Sequence, residues 1–303
     1  MSIVVSGASG DLGRRITAQL LQHLPATSLI LLTRTPAALK DMTALGAQVR
    51  QADFDDEKGL VQAMKGGQAL MLISTLSIGR RAEQHGNAIR AAAAAGIGHV
   101  VYTSSCGIQP QTPSLSGQEH HATEQQLLRS GLRYSILRNS WYADVVAELL
   151  LPAAVATGAL VASTGDGLIA PVAKDDCARV AATILAKPWK HENAIYEITG
   201  PELLSFADIA RICGETTGQD VCFTNVSHAE KQKIFDAMGV NRDYEEGMMN
   251  AHSNAWASNE MITYEMAINR QFFSVCSNHV ALVTGQRAMS LRDTILKSRA
   301  QQA

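Results

Sequence analysis

Short apolar runs rich in β-branched residues alternate along the chain with longer segments whose apolar positions recur every three or four residues. The short runs predict strands at Ser2–Val5, Ser28–Leu32, Ala47–Gln51, Ala69–Ile73, His99–Thr103 and Tyr134–Leu137. The longer segments predict helices at Asp11–His23, Pro36–Leu45, Glu57–Met64, Arg80–Ala95 and Gln118–Ser130. Strands and helices that alternate at this spacing are joined by right-handed crossovers and form parallel sheets. The pattern therefore predicts an α/β protein with a doubly wound parallel sheet.

The alternation becomes less regular after about Leu150. Short strands are predicted at Ala159–Ala162 and Ala194–Ile198, with a turn at Thr164-Gly-Asp-Gly167 between them. Helix-opening capping boxes are predicted at Ser205–Asp208, Ser227–Glu230 and Ser290–Asp293, and a helix at Cys177–Ala186 is expected to be capped by Asp175 and Asp176. Residues 1–150 are therefore predicted to form the sheet domain, and residues 151–303 a smaller α/β lobe partly interleaved with it.

The composition narrows the class of protein. Of the 303 residues 46% are hydrophobic, and 26 basic against 28 acidic residues give a net charge of −2, so neither nucleic acid nor an anionic membrane is an expected partner. The five cysteines lie far apart without a C-x-x-C pair, which indicates reduced thiols of a cytoplasmic protein and no metal site. No apolar run approaches the roughly 18 residues of a membrane span or forms a signal-peptide core.

Three glycines lie between the first predicted strand and the first predicted helix, in Gly7-Ala-Ser-Gly10-Asp-Leu-Gly13. Gly7 allows a sharp turn, Gly10 has no Cβ to keep a pyrophosphate from the backbone, and Gly13 lets the helix pack closely on the strand. The N-terminus of the helix then offers free N–H groups and a positive dipole end to the phosphates. In this context the motif predicts a Rossmann-type dinucleotide site, and a glycine-rich turn without a ligand is the alternative. Ser9 and Leu12 belong to the same loop, and Asp11 is expected to point away and cap the helix.

The end of the second predicted strand indicates which dinucleotide binds. An NAD-specific site places Asp or Glu there, whereas this chain has Arg34, whose guanidinium suits a 2′-phosphate. NADPH is therefore the predicted cofactor, with Arg34 as an ordinary surface residue the alternative. The ends of the third and fourth strands add Asp53 and Phe54 near the adenine, and Ser74 and Thr75 over the phosphates and ribose.

The sequence lacks the Tyr-x-x-x-Lys pair with which short-chain dehydrogenases reduce ketones. Of all the tyrosines, only Tyr134 is followed four residues later by a cation, Arg138, and both lie in a predicted strand. An unactivated ketone needs a positioned proton donor, whereas a quinone or a carbocationic dye accepts hydride readily. The missing pair therefore favours the second class of acceptor, with proximity and orientation supplying most of the catalysis.

Several segments keep the order of one known family over a little more than the first half of the chain: Gly7–Gly13, Val49–Asp53, Leu72–Thr75, Tyr102–Ser104, Glu119-His120 with Thr123-Glu124, Leu137–Tyr142 and Gly165–Gly167. With them the chain resembles the NmrA-like atypical short-chain dehydrogenase/reductases, in particular the type 2 NAD(P)H:quinone oxidoreductases and, to a smaller extent, the triphenylmethane dye reductases. The resemblance weakens from about Met248 to Val283.

The resemblance implies an NADPH-binding N-terminal domain and a small C-terminal lobe, with the substrate between them. It adds Tyr102, Thr103, Asn139, Ser140, Trp141 and Tyr142 to the cofactor site, the last four beside the nicotinamide. It also places His120 on a helix facing the cleft, as the candidate catalytic residue. The alternatives are a surface pair of His120 with His121 and core packing of Trp141 and Tyr142.

Other candidate residues admit two interpretations. Cys106 lies near the cofactor edge, but no base that would make it a nucleophile is identifiable. The aromatic and methionine side chains between Met248 and Val283 form either a lid or floor for a flat substrate, or ordinary packing or a subunit contact. They are Met248, Met249, Trp256, Tyr264, Met266, Phe272 and Phe273.

The function predicted from these features is reduction, by NADPH, of a quinone or a similar flat, electron-poor aromatic compound bound between the two domains. One alternative is an NmrA-like regulatory protein that senses dinucleotide without turnover. Another is a reductase of an aryl ketone, ether or lignan-like compound. A small aromatic substrate is the expected partner, and a homodimer is left open.

Overall fold

The computed structural model describes residues 1–245 and 257–302, without the side chain of Gln302. Its strands are β1 (Ile3–Val5), β2 (Leu29–Thr33), β3 (Gln48–Gln51), β4 (Ala69–Leu72), β5 (His99–Ser105), β6 (Arg133–Asn139), β7 (Ala159–Ala162), β8 (Leu168–Ile169), β9 (Ala194–Ile198), β10 (Leu204–Ser205) and β11 (Cys222–Asn225). One parallel sheet has the order β3-β2-β1-β4-β5-β6-β9. Two small sheets pair β7 with β11 in parallel and β8 with β10 antiparallel.

The helices alternate with these strands. They are α1 (Asp11–Leu20), α2 (Lys40–Ala44), α3 (Glu57–Met64), α4 (Arg81–Ala94), α5 (Leu115–Arg129), α6 (Ala143–Val145), α7 (Leu151–Thr157), α8 (Lys174–Ala186), α9 (Phe206–Thr217), α10 (His228–Ala237), α11 (Ser258–Asn269), α12 (His279–Thr284) and α13 (Leu291–Gln302). A π-helical turn at Val146–Leu150 joins α6 to α7, and short 3₁₀ turns lie at Ala26–Ser28, Pro36–Leu39 and Pro188–Lys190. Each helix in the described part of the chain is too short or too polar to cross a membrane.

The large sheet is buried on both faces along its strands β1, β2, β4 and β5. Along β1, Ile3 and Val5 pack toward α1 and α8, whereas Val4 packs toward α3 and α4. Burial on both faces is why the sequences of β1, β2 and β4 are nearly continuous apolar runs rather than alternating patterns. A third core lies in the smaller lobe, where residues of α9 pack with Trp141, which follows β6.

The doubly wound sheet predicted from the sequence is confirmed. Every strand predicted in residues 1–150 is present within two residues of its predicted bounds. Helix α5 begins at Leu115 rather than at Gln118, because the Ser114 hydroxyl accepts a hydrogen bond from the N–H of Gly117 at 3.1 Å. The turn at Thr164 is also confirmed, since the N–H of Gly167 donates to its carbonyl at 3.0 Å.

The predicted caps differ in outcome. All three capping boxes are confirmed, because each serine accepts a hydrogen bond from the third residue of its helix, whose carboxylate accepts one in return. The capping role predicted for Asp175 and Asp176 is wrong. Helix α8 begins at Lys174, so both acids lie inside its first turn. The Asp175 carboxylate instead pairs with Arg15 at 2.7 Å and with Lys297 at 2.6 Å.

Residues on the C-terminal side of position 150 return to the large sheet. Strand β9 pairs with β6, and α8 covers β1 and α1 on one face. The remaining described elements after residue 150 include the small sheets and α9. The division into domains at residue 150 stays a prediction.

The packing of α1 on β1 depends on glycine at two positions. Gly7 has φ +61°, a left-handed conformation that glycine adopts without a steric penalty. A Cβ on Gly13 would lie 2.3 Å from the Gly7 carbonyl oxygen and 2.8 Å from Ala8 Cα. The helix can therefore approach the end of the strand only because Gly13 has no side chain.

Replacing Gly13 with Ala should lower the free energy of unfolding by roughly 1–3 kcal/mol, the usual cost of overpacking a closely packed site. The atoms that the new methyl group would meet are backbone atoms, which can move only if the loop itself moves. Urea unfolding measures the change. Gly10→Ala is the matched control, because its Cβ would meet one atom, the Gly7 oxygen, at 3.3 Å. Equal stability of the two variants would contradict the packing argument.

Candidate functional site

The loop between β1 and α1 lies at the carboxyl end of the sheet, with backbone groups open to a ligand. The N-cap residue Gly10 is exposed and provides no side-chain hydrogen bond to the helix. The first N–H groups of a helix have no intrahelical acceptor, so those of Asp11, Leu12 and Gly13 face outward from the N-terminus. Ser9 holds the loop to β2 through a 2.8 Å hydrogen bond between its hydroxyl and that of Thr33. This arrangement fits a diphosphate.

Asp11 stands at the same helix N-terminus and is neutralised by two cations. Its carboxylate accepts hydrogen bonds from Arg15 Nε at 2.8 Å and from Lys174 Nζ at 2.7 Å. Burial raises the pKa of the Asp11 carboxyl, but the bonds from Lys174 and Arg15 outweigh burial and bring the pKa below its ordinary value. The capping role expected for Asp11 is wrong, because the cap residue is Gly10.

The residues predicted for the adenosine end follow β2 and β3. Arg34 is exposed one position after β2. Asp53 is exposed and its carboxylate accepts a hydrogen bond from the N–H of Asp55 at 3.0 Å. Phe54 is half-buried, with its ring centroid 6.2 Å from that of His85. The three predicted residues thus lie at neighbouring strand ends, since β2 and β3 are paired.

The ends of β4 and β5 are tied together by polar side chains. The Thr103 hydroxyl accepts a hydrogen bond from the N–H of Ser74 at 2.8 Å. The N–H of Thr75 donates to His85 Nε2 at 3.1 Å, whereas the Thr75 hydroxyl is buried without a partner in the described protein. Buried polar atoms are nearly always hydrogen-bonded, so this hydroxyl is available to a ligand.

The last residue of β6 and the residue after it carry two more buried atoms of this kind. The Asn139 amide donates to the Tyr142 hydroxyl at 3.3 Å, while its Oδ1 has no partner among the described residues. The same holds for the Ser140 hydroxyl. Trp141 is buried in the core of the smaller lobe, whereas the half-buried ring of Tyr142 lies beneath Lys174 Nζ, 5.7 Å from the ring centroid. The core-packing alternative therefore describes Trp141 better than Tyr142.

His120 is buried, so its interpretation as part of a surface pair is wrong. It is 7% exposed, and its Nδ1 lies 2.7 Å from the hydroxyl of Tyr102, which is itself completely buried. The same hydroxyl lies 3.4 Å from His85 Nδ1, and that nitrogen is 3.0 Å from the Thr123 hydroxyl. Through His85 this chain of contacts reaches the backbone of Thr75 at the end of β4.

The two histidines of this cluster are neutral at neutral pH. Burial, followed by the nearby Arg81 guanidinium, lowers the pKa of His85 to about 3. The same two causes, in the same order, lower the pKa of His120 well below its ordinary value. A neutral imidazole has one donor and one acceptor nitrogen, so it can link hydroxyl and amide groups without placing a charge at the edge of the sheet.

Ion pairing and burial argue against two other catalytic roles, an acid–base pair of Tyr134 with Arg138 and a nucleophilic Cys106. Arg138 lies on β6 and bridges Glu124 at 2.7 Å and Glu197 at 3.1 Å, so it forms no acid–base pair with Tyr134. Burial, reinforced by Glu197, raises the pKa of the Cys106 thiol well above its ordinary value. A thiol that stays protonated is a poor nucleophile.

The segment predicted to differ from the family falls into two parts. Met248, Met249 and Trp256 lie outside the described residues. Phe273 is buried and packs on Tyr264 with ring centroids 4.4 Å apart, on the core of the smaller lobe.

Sequence reasoning missed His85, Arg81 and Lys174. His85 and Arg81 are four residues apart on α4, so they lie on the same face of the helix, and both are buried. Their spacing was the one sequence feature that could have placed them together. No local signal marks Lys174, because its partner Asp11 is 163 residues away.

Acidification should weaken folding through the buried histidines. An unfolded His85 takes up a proton near pH 6.5, whereas the folded one does so near pH 3, so between these values the unfolded chain binds more protons and stability falls as the pH falls. In His85→Gln the slope of unfolding free energy against pH should shrink by up to about 1.4 kcal/mol per pH unit. Urea unfolding across this window measures the slope. His23→Gln, at an exposed position, should keep the wild-type slope, and a wild-type slope in His85→Gln would refute the assignment.

Comparison with known proteins shows which family and which proteins this chain is similar to. A family model described as NAD(P)H-binding matches residues 7–188. Quinone oxidoreductase 2 of Escherichia coli is 34% identical over 238 residues, covering 78% of this chain and 82% of that protein.

Two solved structures are similar over nearly their whole length. The NADPH-dependent quinone oxidoreductase of Escherichia coli, complexed with NADPH, has a TM-score of 0.88 at 29% identity, covering 98% of this chain and 99% of the other. Triphenylmethane reductase of Citrobacter sp., complexed with NADP(H), has a TM-score of 0.86 at 26% identity, covering 98% and 100%. The resemblance stated from the sequence is confirmed, as is an NAD(P)H cofactor. The chain belongs to the NAD(P)H-binding family that includes quinone oxidoreductase 2, and it is an NAD(P)H-dependent oxidoreductase.

Proposed function

We propose that this oxidoreductase binds NADPH across the carboxyl edge of its sheet and reduces a quinone or a similar flat, electron-poor aromatic compound. The observation that carries the proposal is the coincidence of two features at one edge. A helix N-terminus without a side-chain cap lies after β1, and buried polar atoms that find no partner among residues 1–245 and 257–302 lie just after β4 and at the end of β6. The names of the similar proteins, a quinone oxidoreductase and a triphenylmethane reductase, support the same class of acceptor.

Three sets of residues would hold the three parts of the cofactor. The diphosphate would meet the loop Gly7, Ser9, Gly10, Asp11, Leu12 and Gly13, and the adenosine end would meet Arg34, Asp53 and Phe54. The ribose and nicotinamide would lie against Ser74, Thr75, Thr103, Asn139, Ser140 and Tyr142, with the buried side chains of Tyr102 and Trp141 supporting them. When bound, the reduced nicotinamide supplies a hydride. The protein residues orient the acceptor and exclude water from it.

The absence of a tyrosine–lysine pair supports an acceptor that needs little acid catalysis. The neutral histidines of the buried cluster carry no charge toward a carbonyl oxygen, and Arg138 is occupied by two carboxylates. A quinone gains aromatic stabilisation on reduction, so binding beside the nicotinamide supplies most of what it requires. The catalytic role predicted for His120, the cytoplasmic location and a homodimer stay predictions.

Arg34→Ala should weaken the binding of NADPH by about 10- to 100-fold, the range expected when a hydrogen bond to a charged group is lost, and leave NADH within about twofold. The reason is that NADH has no 2′-phosphate for the guanidinium to contact. Fluorescence or calorimetric titration of both nucleotides measures the ratio. Arg90→Ala removes an exposed guanidinium of α4 and is the control for a general change of charge. Equal weakening of NADPH and NADH would show that Arg34 does not contact the 2′-phosphate.

Anaerobic mixing of the protein with NADPH and 1,4-benzoquinone should remove the absorbance band of the reduced nicotinamide at a rate proportional to protein concentration. The expected products are hydroquinone and NADP⁺. The panel should include substituted quinones and cationic triarylmethyl dyes. Binding of NADPH without turnover of any member of the panel would reject the reductase and favour the dinucleotide-sensing alternative.

A further inference from the structure

Tyr264 brings a phenol hydroxyl from the smaller lobe to the carboxyl edge of the large sheet. Helix α11, which carries it, is fixed to the N-terminus of α5 by two hydrogen bonds. The N–H of Ser116 donates to Glu260 Oε2 at 3.1 Å, and the N–H of Leu115 donates to the Thr263 hydroxyl at 3.3 Å. The helix that carries Tyr264 is therefore anchored to the start of α5, which precedes strand β6 of the large sheet.

The ring of Tyr264 is fixed by two aromatic neighbours. Trp141 meets it edge to face, with centroids 5.7 Å apart and planes at 62°, and Phe273 packs on it at 4.4 Å. The Phe273 ring in turn packs against Gly107: a Cβ on Gly107 would lie 3.2 Å from Phe273 Cγ. These contacts place the Tyr264 ring against Trp141, two residues after Asn139. The Ser105 hydroxyl is near enough to lower the pKa of the Tyr264 phenol.

Ser105 locates this hydroxyl relative to the cofactor site. It is the last residue of β5, and in the register of the sheet it pairs directly with Asn139 at the end of β6. The Asn139 Oδ1 is buried and has no hydrogen-bond partner in the described part of the chain, while the Asn139 amide donates to the Tyr142 hydroxyl. Tyr264 therefore lies near the ends of β5 and β6, where the nicotinamide end of the cofactor and the acceptor are proposed to meet.

The Tyr264 hydroxyl keeps its proton. Burial, reinforced by the thiol of Cys106 and the carboxyl of Glu260, raises the pKa of Tyr264 well above its ordinary value, although the Ser105 hydroxyl acts in the opposite direction. The Ser105 hydroxyl also has its own acceptor, the Cys106 carbonyl at 3.0 Å. A hydroxyl both donates and accepts, so the proton of Tyr264 is available to a ligand oxygen.

We propose that Tyr264 donates a hydrogen bond to the oxygen of a quinone or other carbonyl acceptor and stabilises the negative charge that develops there during reduction. This inference rests on the proposed function. In the overall reaction the acceptor gains a hydride, which is two electrons and one proton, from NADPH and a second proton from solvent. Tyr264 retains its own proton throughout, and its contribution is electrostatic.

The test compares two acceptors that differ in where charge develops. A quinone builds negative charge on oxygen, whereas a cationic triarylmethyl dye takes hydride at carbon and has no oxygen at the reacting centre. Tyr264→Phe removes the hydroxyl and keeps the ring between Trp141 and Phe273. We expect kcat for 1,4-benzoquinone to fall about 10- to 100-fold, below the loss seen for a full oxyanion-hole donor, with kcat for the dye within about twofold.

Tyr196→Phe is the matched control. It removes a tyrosine hydroxyl that contacts His191 at 2.8 Å on β9, outside the proposed site, and it should leave both rates unchanged. Equal losses for quinone and dye in Tyr264→Phe would assign Tyr264 to packing and overturn the inference. An unchanged quinone rate would overturn it as well.

A binding measurement tests the same hydrogen bond without turnover. With NADP⁺ present, 4-nitrophenolate should bind Tyr264→Phe about tenfold more weakly than it binds the wild type, whereas nitrobenzene, which lacks the phenolate oxygen, should bind both equally. If the wild type reduces no acceptor, the proposed reductase function fails, and the phenolate result still decides whether Tyr264 donates at this site. Equal phenolate affinity in both proteins would overturn the inference.

Discussion

The close contact between helix α1 and the end of strand β1 is the constraint on which the rest of the site depends. Gly13 permits the contact, since any side chain there would overlap the backbone of Gly7 and Ala8. Because the helix starts so near the sheet edge, its unpaired N–H groups lie beside the ends of β2 and β4. The residues proposed to hold the cofactor after those strands therefore lie beside the helix N-terminus that this approach puts in place.

A carboxylate at this helix N-terminus would repel an anionic diphosphate unless nearby cations neutralise it. Asp11 is compatible with a diphosphate because Arg15 and Lys174 both bind its carboxylate. Lys174 comes from the first turn of α8, so the segment after residue 150 completes the electrostatics of the first loop. The segments before and after residue 150 are therefore joined at the proposed diphosphate loop by an ion pair, as well as by the shared sheet.

Local signals were enough to predict the sheet, the glycine-rich loop between β1 and α1, and the capping boxes. Each of these signals spans fewer than ten residues, so it can be recognised in the sequence alone. They are the apolar strand runs, the spacing of Gly7, Gly10 and Gly13, and the Ser205–Asp208 box. The family resemblance placed His120 facing the cleft, but local residues alone did not show that it is buried, because its partner is the Tyr102 hydroxyl, 18 residues away on another element. Asp175 was misread as a cap for the same reason: its partners, Arg15 and Lys297, are distant along the chain.

The central claim is that the loop after β1 binds the diphosphate of a pyridine nucleotide through its main chain. Calorimetric titration of the purified protein with NADP⁺ at two salt concentrations tests it most directly. The account predicts saturable binding of one nucleotide per chain that weakens as salt rises, since a doubly anionic group enters a site of positive potential. Absence of measurable affinity for both NADP⁺ and NAD⁺ would contradict it.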